Sequence, residues 1–273
     1  MKKNKKSQFN ILITGSTGGL GNSFVKYFCQ DNNHLILTST SQDKLDKLIK
    51  EIKDINSNIK ITPIVCNFLD NKSIDSLVNH LKDNNIQLDY LINNAGYITE
   101  GSIENAYIDT LIDCIKVNCI GTTQLTKEIL DLHNNLHILN IITIASMAGD
   151  YPMPHMAVYS STKAYLKNFM LALGYEYKDK NVKSIVVQPG AIATSNEMKE
   201  AIKAQGLKGR LSAISPDVIA KKSIQKCNKG KKTYTPGFFN QMTKYLSLLA
   251  PTNLKMKAIG SMWRKSQEKR NIK

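Results

Sequence analysis

Short apolar runs alternate with amphipathic stretches from the N-terminus to about residue 235. Six of these runs have the length and composition of buried strands, at about 9–14, 34–38, 59–65, 88–93, 136–145 and 182–188. The stretches between them place apolar residues three and four apart, as at 71–84 and 156–179, which predicts helices. Repetition of strand and helix indicates an α/β fold, a doubly wound parallel sheet with helices on both faces.

Four further segments complete this prediction. A long helix is predicted from about Ile103 to His133, and residues 191–209 are polar enough to form a substrate lid. Ser215 followed by Pro216 predicts a helix start, because serine is favoured at the N-cap and proline at the first helical position. Residues 233–235 are a candidate final edge strand.

The carboxyl ends of the predicted strands carry glycine, proline or polar residues. Ligands of parallel α/β sheets bind just beyond these ends. The residues at or next to them are Gly15, Thr38, Asn94, Ser146 and Pro189. Their convergence predicts one composite site.

A glycine-rich turn lies between the first predicted strand and the helix that follows it. Glycines at Gly15, Gly18, Gly19 and Gly21 permit a tight turn and a close backbone approach to a ligand. The helix N-terminus supplies amides and a positive dipole, so the arrangement suits a dinucleotide pyrophosphate. A plain loop is the alternative interpretation.

Tyr159 and Lys163 are four residues apart, so they share one face of the predicted helix. A nearby ammonium group favours the phenolate and is expected to lower the pKa of Tyr159, making it a general acid/base. Ser146 follows an apolar run, where its hydroxyl is placed to hold a substrate oxygen beside the tyrosine. A chance pairing on an exposed helix is the alternative for an isolated Tyr–Lys pair.

The residues after the second strand bear on which nicotinamide cofactor binds. A carboxylate there would hold a ribose 2′-hydroxyl, whereas a basic group would accept a 2′-phosphate. This chain has Ser39, Thr40 and Ser41, with Lys44 one turn later. These residues favour NADP(H) over NAD(H), and the alternative is that they only cap the helix starting near Ser41.

Several amide side chains lie at or near strand ends and need hydrogen-bond partners if buried. Asn94 stabilises the sheet, contacts a cofactor, or does both. Asn67 and Phe68 follow the third strand, where they would lie beside an adenine ring. Asn118 falls inside the long predicted helix, either as a buried amide that ties helix to sheet or at a kink that holds a water near the site.

Composition limits the classes of protein that this chain can represent. Its 273 residues, 42% of them hydrophobic, suit one large α/β domain. The sequence contains no run of 18 apolar residues, so no membrane-spanning helix is predicted. The basic N-terminus is not followed by the apolar segment of a secretory signal. Five scattered cysteines indicate reduced core thiols and a cytoplasmic location, and their spacing predicts no metal site.

The positive charge is concentrated near the C-terminus. The chain has a net charge of +15, and residues 221–273 hold fourteen Lys or Arg residues and a single acid, Glu268, a net +13. We therefore divide the chain into a catalytic domain, 1–236, and a basic amphipathic extension of that domain, 237–273. The extension is interpreted as a solvated basic face, a peripheral membrane contact, a cover over the substrate pocket or a subunit interface. Nucleic acid is disfavoured, because no recognised module for it is visible.

Six motifs in register resemble the short-chain dehydrogenase/reductase family across roughly residues 8–235. They are Thr14–Gly15 with Gly19 and Gly21, Asn93 to Gly96, Asn118, Ser146, Tyr159 with Lys163, and Pro189–Gly190. The resemblance implies a Rossmann-type fold with seven strands, an NADP or NAD cofactor, and hydride transfer between that cofactor and a carbonyl or secondary alcohol. It also implies a homo-oligomer, a dimer or tetramer.

The resemblance assigns roles to individual residues. Tyr159 is the acid/base, Lys163 lowers its pKa and holds the nicotinamide ribose, Ser146 orients the substrate oxygen, and Asn118 anchors a proton-relay water. The cofactor contacts it implies on the pyrophosphate and adenosine side are Gly15, Ser16, Thr17, Gly19, Leu20 and Gly21. Those along the cofactor and at its carboxamide are Asn94, Ala95, Gly96, Pro189, Gly190, Ile192 and Thr194.

Two departures from the family pattern concern the cofactor. Asn67 stands where aspartate is usual, and neither Thr40 nor Gly18 is the basic residue that many NADP-preferring members carry. The predicted pocket lining of Met147, Tyr151, Met153, Met156 and the lid indicates an apolar or acyl substrate. The competing hypotheses are a non-catalytic NAD(P)-binding sensor and a membrane-peripheral interaction protein.

Overall fold

The computed structural model describes residues 8–29, 32–192, 200, 202, 209 and 211–271. Within these residues seven strands are formed, β1 (Asn10–Ile13), β2 (His34–Ser39), β3 (Lys60–Val65), β4 (Tyr90–Asn93), β5 (Leu139–Ile144), β6 (Val182–Val187) and β7 (Thr233–Tyr234). The first six match the six predicted runs, with ends one to three residues shorter in most cases. The short β7 confirms the predicted edge strand.

The helices alternate with these strands. They are α1 (Gly19–Phe28), α2 (Gln42–Ile55), α3 (Asn71–Asp83), α4 (Ile108–Ile115), α5 (Thr122–Leu132), α6 (Ala157–Glu176), α7 (Pro216–Asn228), α8 (Phe238–Leu249) and α9 (Thr252–Asn271). Ser41 caps α2 by accepting a hydrogen bond from the Lys44 amide at 3.3 Å. Ser215 is the N-cap of α7 with Pro216 after it, although its side chain makes no capping hydrogen bond.

All seven strands join one sheet in the order β3-β2-β1-β4-β5-β6-β7, and every neighbouring pair is parallel. Side chains of β1 point alternately to the two faces of the sheet. Ile11 and Ile13 lie in one apolar cluster, and Leu12 lies in another. Successive residues of a strand face opposite sides of its sheet, so the two clusters are the two helix-covered faces. The predicted doubly wound architecture is confirmed.

The region predicted as one helix from Ile103 to His133 is divided into several elements. A short 3-10 turn occupies Ile103–Asn105, α4 begins only at Ile108, and a π-helical stretch from Lys116 to Gly121 separates α4 from α5. Apolar spacing alone does not distinguish α from π geometry, because both keep the same face towards the core over one turn. The prediction of a single long helix was therefore wrong at its start and in its middle.

Two helices follow β7. A glycine with φ of 88°, Gly237, precedes α8, and Pro251 separates α8 from α9. Among the helices that the structure describes, none has the length and apolar character needed to cross a membrane.

Candidate active site

A cleft of about 780 Å³ opens at the carboxyl ends of the strands. It brings together most of the residues that the sequence predicted for a cofactor site. Its lining includes Gly15, Thr17, Gly19, Leu20, Ser39, Thr40, Asn67, Phe68, Asn94, Ala95, Gly96, Ser146, Tyr159, Lys163, Pro189, Gly190 and Ile192. Thr194 and most of the predicted lid, 191–209, lie outside the described residues.

The glycine-rich turn is folded so tightly that side chains would not fit inside it. Gly15 has φ of 61°, a left-handed conformation that favours glycine. A Cβ atom on Gly21 would lie 2.2 Å from the Gly15 carbonyl oxygen. The turn therefore presents backbone amides and the N-terminus of α1 to the cleft, an arrangement that fits a pyrophosphate.

Two predicted cofactor contacts lie behind the turn and do not line the cleft. Ser16 is fully buried, and its hydroxyl donates to the Thr38 carbonyl at 3.0 Å. Gly21 packs beneath Gly15. Both residues support the turn from the side away from the cleft. A motif match cannot distinguish this role from direct contact with a cofactor.

Thr14 and Asn94 fasten the turn to the end of β4. The Thr14 hydroxyl oxygen accepts hydrogen bonds from the amides of Asn94 and Ala95 at 3.0 and 2.9 Å. The Asn94 side-chain amide donates to the carbonyls of Thr14 and Gly15, both at 3.0 Å. Thr14 was part of the sequence motif but had no predicted role. Its buried position at the end of β1 brings its hydroxyl within hydrogen-bond distance of the backbone after β4.

The adenosine end of the cleft lies between the ends of β2 and β3. Ser39 is bonded to the Thr17 hydroxyl at 2.9 Å, so its hydroxyl is already engaged. Thr40 and Lys44 are exposed and line the cleft. Within the described part of the chain, the lining includes no Asp or Glu side chain. The cleft therefore suits an anionic group at this end.

Tyr159 lies in the first turn of α6 beside Ser146. Burial raises the pKa of the Tyr159 phenol, and a hydrogen bond with the Ser146 side chain opposes this effect. The pKa of Tyr159 is therefore raised, whereas the sequence predicted a lowered pKa because only the neighbouring ammonium group was considered. A phenol with a raised pKa is protonated at neutral pH and is ready to act as an acid.

Lys163 lies one turn after Tyr159, with its Nζ 5.7 Å from the centre of the tyrosine ring. The ammonium donates to the Ile144 carbonyl at 3.0 Å. Desolvation by burial lowers the pKa of Lys163 to about 8, so the group is charged at neutral pH. A Cβ on Gly96 would lie 3.4 Å from this Nζ, so glycine there leaves room for the ammonium.

Asn118 is fully buried in the π-helical stretch and does not line the cleft. Its Oδ1 accepts from the Tyr97 amide at 2.8 Å, and its Nδ2 donates to the Tyr97 carbonyl and to the Thr162 hydroxyl, both at 2.9 Å. The amide is buried, as the first of the two interpretations predicted, but it ties the helix to the loop after β4 and to α6 and not to a strand of the sheet. The π geometry agrees with the kink of the second, and π-helical stretches are frequent at functional sites.

Sequence reasoning missed several apolar residues of the cleft. Tyr97, Ile98 and Val117 also line it. The first two directly follow the Asn93–Gly96 motif, and their position in the chain is the signal that could have found them. Of the predicted substrate-pocket residues, Met156 lines an adjoining pocket, whereas Tyr151 and Met153 line a separate groove.

The sequence profile of the short chain dehydrogenase family matches residues 10–205. This chain belongs to the short-chain dehydrogenase family. Its members are NAD(P)-dependent oxidoreductases, which agrees with the glycine turn and the Ser146, Tyr159 and Lys163 cluster.

Curated relatives of this short-chain dehydrogenase include one enzyme named for a 3-oxoacyl-CoA and one named for a 3-hydroxy acid. It is 27% identical to a very-long-chain 3-oxoacyl-CoA reductase of Neurospora crassa over 251 residues, covering 90% of this chain and 74% of that one. It is 28% identical to the mitochondrial D-beta-hydroxybutyrate dehydrogenase of Mus musculus, covering 88% and 74%. A dehydrogenase/reductase SDR family protein 7-like of Anopheles gambiae is 27% identical, and the match spans 59% of that protein.

Solved structures share the fold of this short-chain dehydrogenase. L-sorbose reductase from Gluconobacter frateurii, complexed with NADPH and L-sorbose, superposes with a TM-score of 0.75 at 21% identity, covering 85% of this chain and 95% of that one. The bulky-bulky ketone specific alcohol dehydrogenase from Comamonas testosteroni gives 0.75 at 18% identity, covering 89% and 92%. At these identities the likeness concerns the fold alone.

Proposed function

We propose that this short-chain dehydrogenase reduces a ketone that carries an apolar or acyl chain, with NADPH as the preferred cofactor. The observation that carries the proposal is that Ser146, Tyr159 and Lys163 line the same cleft as the glycine turn. A dinucleotide bound on the turn would run along Asn94 to Gly96 towards this cluster. A non-catalytic sensor has no need of an acid, a hydroxyl and a buried cation at that point.

When bound, the nicotinamide supplies the hydride. Ser146 orients the carbonyl oxygen, and protonated Tyr159 gives its proton to that oxygen as negative charge develops there. Charged Lys163 then stabilises the resulting phenolate electrostatically. Burial of the phenol and the ammonium strengthens both interactions, because little water screens them.

The preference for NADPH follows from the charges at the adenosine end. Thr40 and Lys44 offer a hydroxyl and an ammonium to a 2′-phosphate, and the described lining holds no carboxylate to repel it. One charge-assisted hydrogen bond contributes about 1.5–3 kcal/mol. That free energy corresponds to a preference of roughly tenfold or more.

The substrate class follows from the space beside the catalytic cluster. A second pocket of about 360 Å³ adjoins the main cleft at Tyr97 and Ile98. Its lining includes Ile103, Leu111 and Met156, so it would shield an apolar chain from water. The relative named for a 3-oxoacyl-CoA makes 3-oxoacyl thioesters the first compounds to test.

We expect the purified chain to oxidise NADPH in the presence of acetoacetyl-CoA or a long-chain 3-oxoacyl-CoA. With NADH, kcat/KM is expected to be about tenfold lower, because the phosphate contact is lost. Lys44→Met should reduce this preference, whereas Lys47→Met, exposed on the same helix, should not. Cofactor oxidation followed by absorbance measures all of these rates. Tight NADPH binding without turnover of any carbonyl would favour the sensor hypothesis.

An apolar face on α8 supports a second proposal, that the chain contacts an anionic membrane. Phe238, Met242, Tyr245, Leu246 and Leu249 form this outer face of α8, and all five side chains are exposed. The opposite face turns Asn240 and Lys244 inward. The surrounding segment carries a net +13, so apolar and electrostatic attraction to anionic lipid would act together.

We expect the full chain to co-sediment with phosphatidylglycerol-containing vesicles and much less with phosphatidylcholine vesicles. Leu249→Ser should weaken binding severalfold, because it removes an apolar side chain that would insert into the interface. Leu136→Ser is the matched control, since both leucines are 85% exposed. Equal binding by the two variants would contradict the proposal.

Exposed apolar side chains could also be covered by a second copy of the chain instead of a membrane. Ile108, Ile112, Ile115 and Ile120 are exposed on α4 and the π-helical stretch, and we infer that this face forms the homo-oligomer contact. Sedimentation velocity without vesicles measures that association. If the wild-type chain sediments as an oligomer and Leu249→Ser sediments as a monomer, the outer face of α8 is a subunit interface and not a membrane contact.

A further inference from the structure

A buried carboxylate joins α8, the first helix after β7, to the catalytic segment. Asp150 ends the short 3-10 turn Met147–Asp150, which directly follows Ser146. Its side chain is 1% exposed. A carboxylate in such a place needs cationic or hydrogen-bonding partners, because desolvation of a charge is costly.

The partners of Asp150 come from three different elements. Its Oδ1 accepts from Lys167 of α6 at 2.6 Å and from Gln188, just after β6, at 2.8 Å. Its Oδ2 has no hydrogen-bond partner among the described residues and lies 3.7 Å from the Nζ of Lys244 on α8. Lys244 also donates to the Gln188 Oε1 at 2.7 Å, which closes the network.

The same turn is pressed against the catalytic helix. A Cβ on Gly149 would lie 2.6 Å from the carbonyl carbon of Lys163, so this turn and α6 are in backbone contact at the catalytic lysine. Ser146 caps the turn by accepting from the Ala148 amide at 3.1 Å. The Met147 amide donates to the Pro189 carbonyl at 3.0 Å, and the turn is thereby fixed to the cofactor side of the cleft.

A second residue of α8 is packed on that cofactor side. A Cβ on Gly190 would lie 3.0 Å from the Asn240 side-chain amide, which donates to the Ser212 and Pro236 carbonyls. The inner face of α8 therefore abuts both the Ser146 turn and the Pro189–Gly190 loop. This helix lies outside residues 10–205, the part matched by the family profile.

We propose that Lys244 is a positioning residue of the active site, which acts through Asp150 to hold the Ser146 hydroxyl against Tyr159. The proposal rests on the proposed function for its kinetic test. Lys167 bonds the Oδ1 of Asp150, and Lys244 is the cation nearest its Oδ2, which has no hydrogen-bond partner among the described residues. Without that cation, the turn is free to shift towards Lys167, and the Ser146 hydroxyl shifts with it.

Lys244→Met is expected to lower kcat about tenfold, less than the roughly hundredfold loss that a 1 Å displacement of a catalytic group can cause. The Kd of NADPH should change little, whereas the melting temperature should fall, because buried Asp150 loses one of its two cations. Lys244→Arg should restore most of the rate, because it keeps a cation near Asp150. Lys50→Met, an exposed lysine on α2, controls for charge removal. A melting temperature that falls while kcat is unchanged would show a merely structural role and overturn the proposal.

A second readout does not require turnover. The Ser146 hydrogen bond favours the Tyr159 phenolate, so its weakening in Lys244→Met should raise the Tyr159 pKa. The other groups that bear on this phenol are Lys163 on the same helix and Cys114 on α4, and the variant leaves both in place. The tyrosinate absorbance of each protein, minus that of its Tyr159→Phe counterpart, isolates this titration.

The two readouts separate failure of this proposal from failure of the proposed function. If wild type reduces no carbonyl but the Tyr159 titration still shifts in Lys244→Met, only the proposed function fails. If the titration is identical in both proteins, the positioning role is excluded whatever the wild-type activity.

Discussion

Tyr159→Phe is expected to lower kcat for ketone reduction by about 10²–10⁴-fold, the usual contribution of a general acid. The substitution removes only the phenolic oxygen, so the ring still fills its place in the first turn of α6. A bound nicotinamide would still supply hydride, but no group at that position would give a proton to the developing alkoxide. Steady-state kinetics with NADPH and acetoacetyl-CoA measure the loss.

The Kd of NADPH should stay within a few-fold in the same variant, because Lys163 and the glycine turn are untouched. Fluorescence titration checks this second expectation. Tyr175→Phe, an exposed tyrosine on the same helix, should leave both quantities unchanged. If Tyr159→Phe keeps its rate, the proton comes from another group and the assignment of the acid is wrong.

Gly21→Ala is expected to weaken NADPH binding by roughly 100-fold or more and to lower the unfolding free energy by about 1–3 kcal/mol, as overpacking does. The added Cβ would lie 2.2 Å from the Gly15 carbonyl oxygen and 2.9 Å from both the Ser16 Cα and the Asn94 Nδ2. Two of these three atoms are backbone, so rotation of a side chain does not relieve the clash. The turn must open, which moves the amides that face the cofactor.

Gly18→Ala is the matched control for this substitution. Its Cβ would meet only the Gly15 carbonyl oxygen, at 3.4 Å, and its backbone angles of −77° and 160° suit alanine. NADPH affinity and the melting temperature are expected to change little. Fluorescence titration and thermal unfolding of both variants test the pair, and equal effects would mean that the turn adapts more freely than its packing indicates.

Much of the fold and the site is predictable from local patterns in the sequence. The period of apolar residues distinguishes strands from helices, so the alternation of six runs with amphipathic stretches indicated the parallel sheet and its covered faces. The position of Gly15, Asn94, Ser146 and Pro189 at strand ends indicated one cleft, because parallel strands bring their carboxyl ends to one edge. The spacing of Tyr159 and Lys163 placed both side chains on one helix face.

Other properties were decided only by the tertiary structure, since they depend on contacts between distant residues. Burial reverses the expected direction of the Tyr159 pKa, and the extent of burial is set by elements that pack around α6. Ser16 and Gly21 lie under the turn, and no motif records which side of a backbone faces a ligand. The contact between Asp150 and Lys244 joins residues 94 positions apart, and helical spacing alone could not show that α8 turns its polar face inward. Local periodicity thus determines which elements form, whereas desolvation and long-range packing determine what each side chain does.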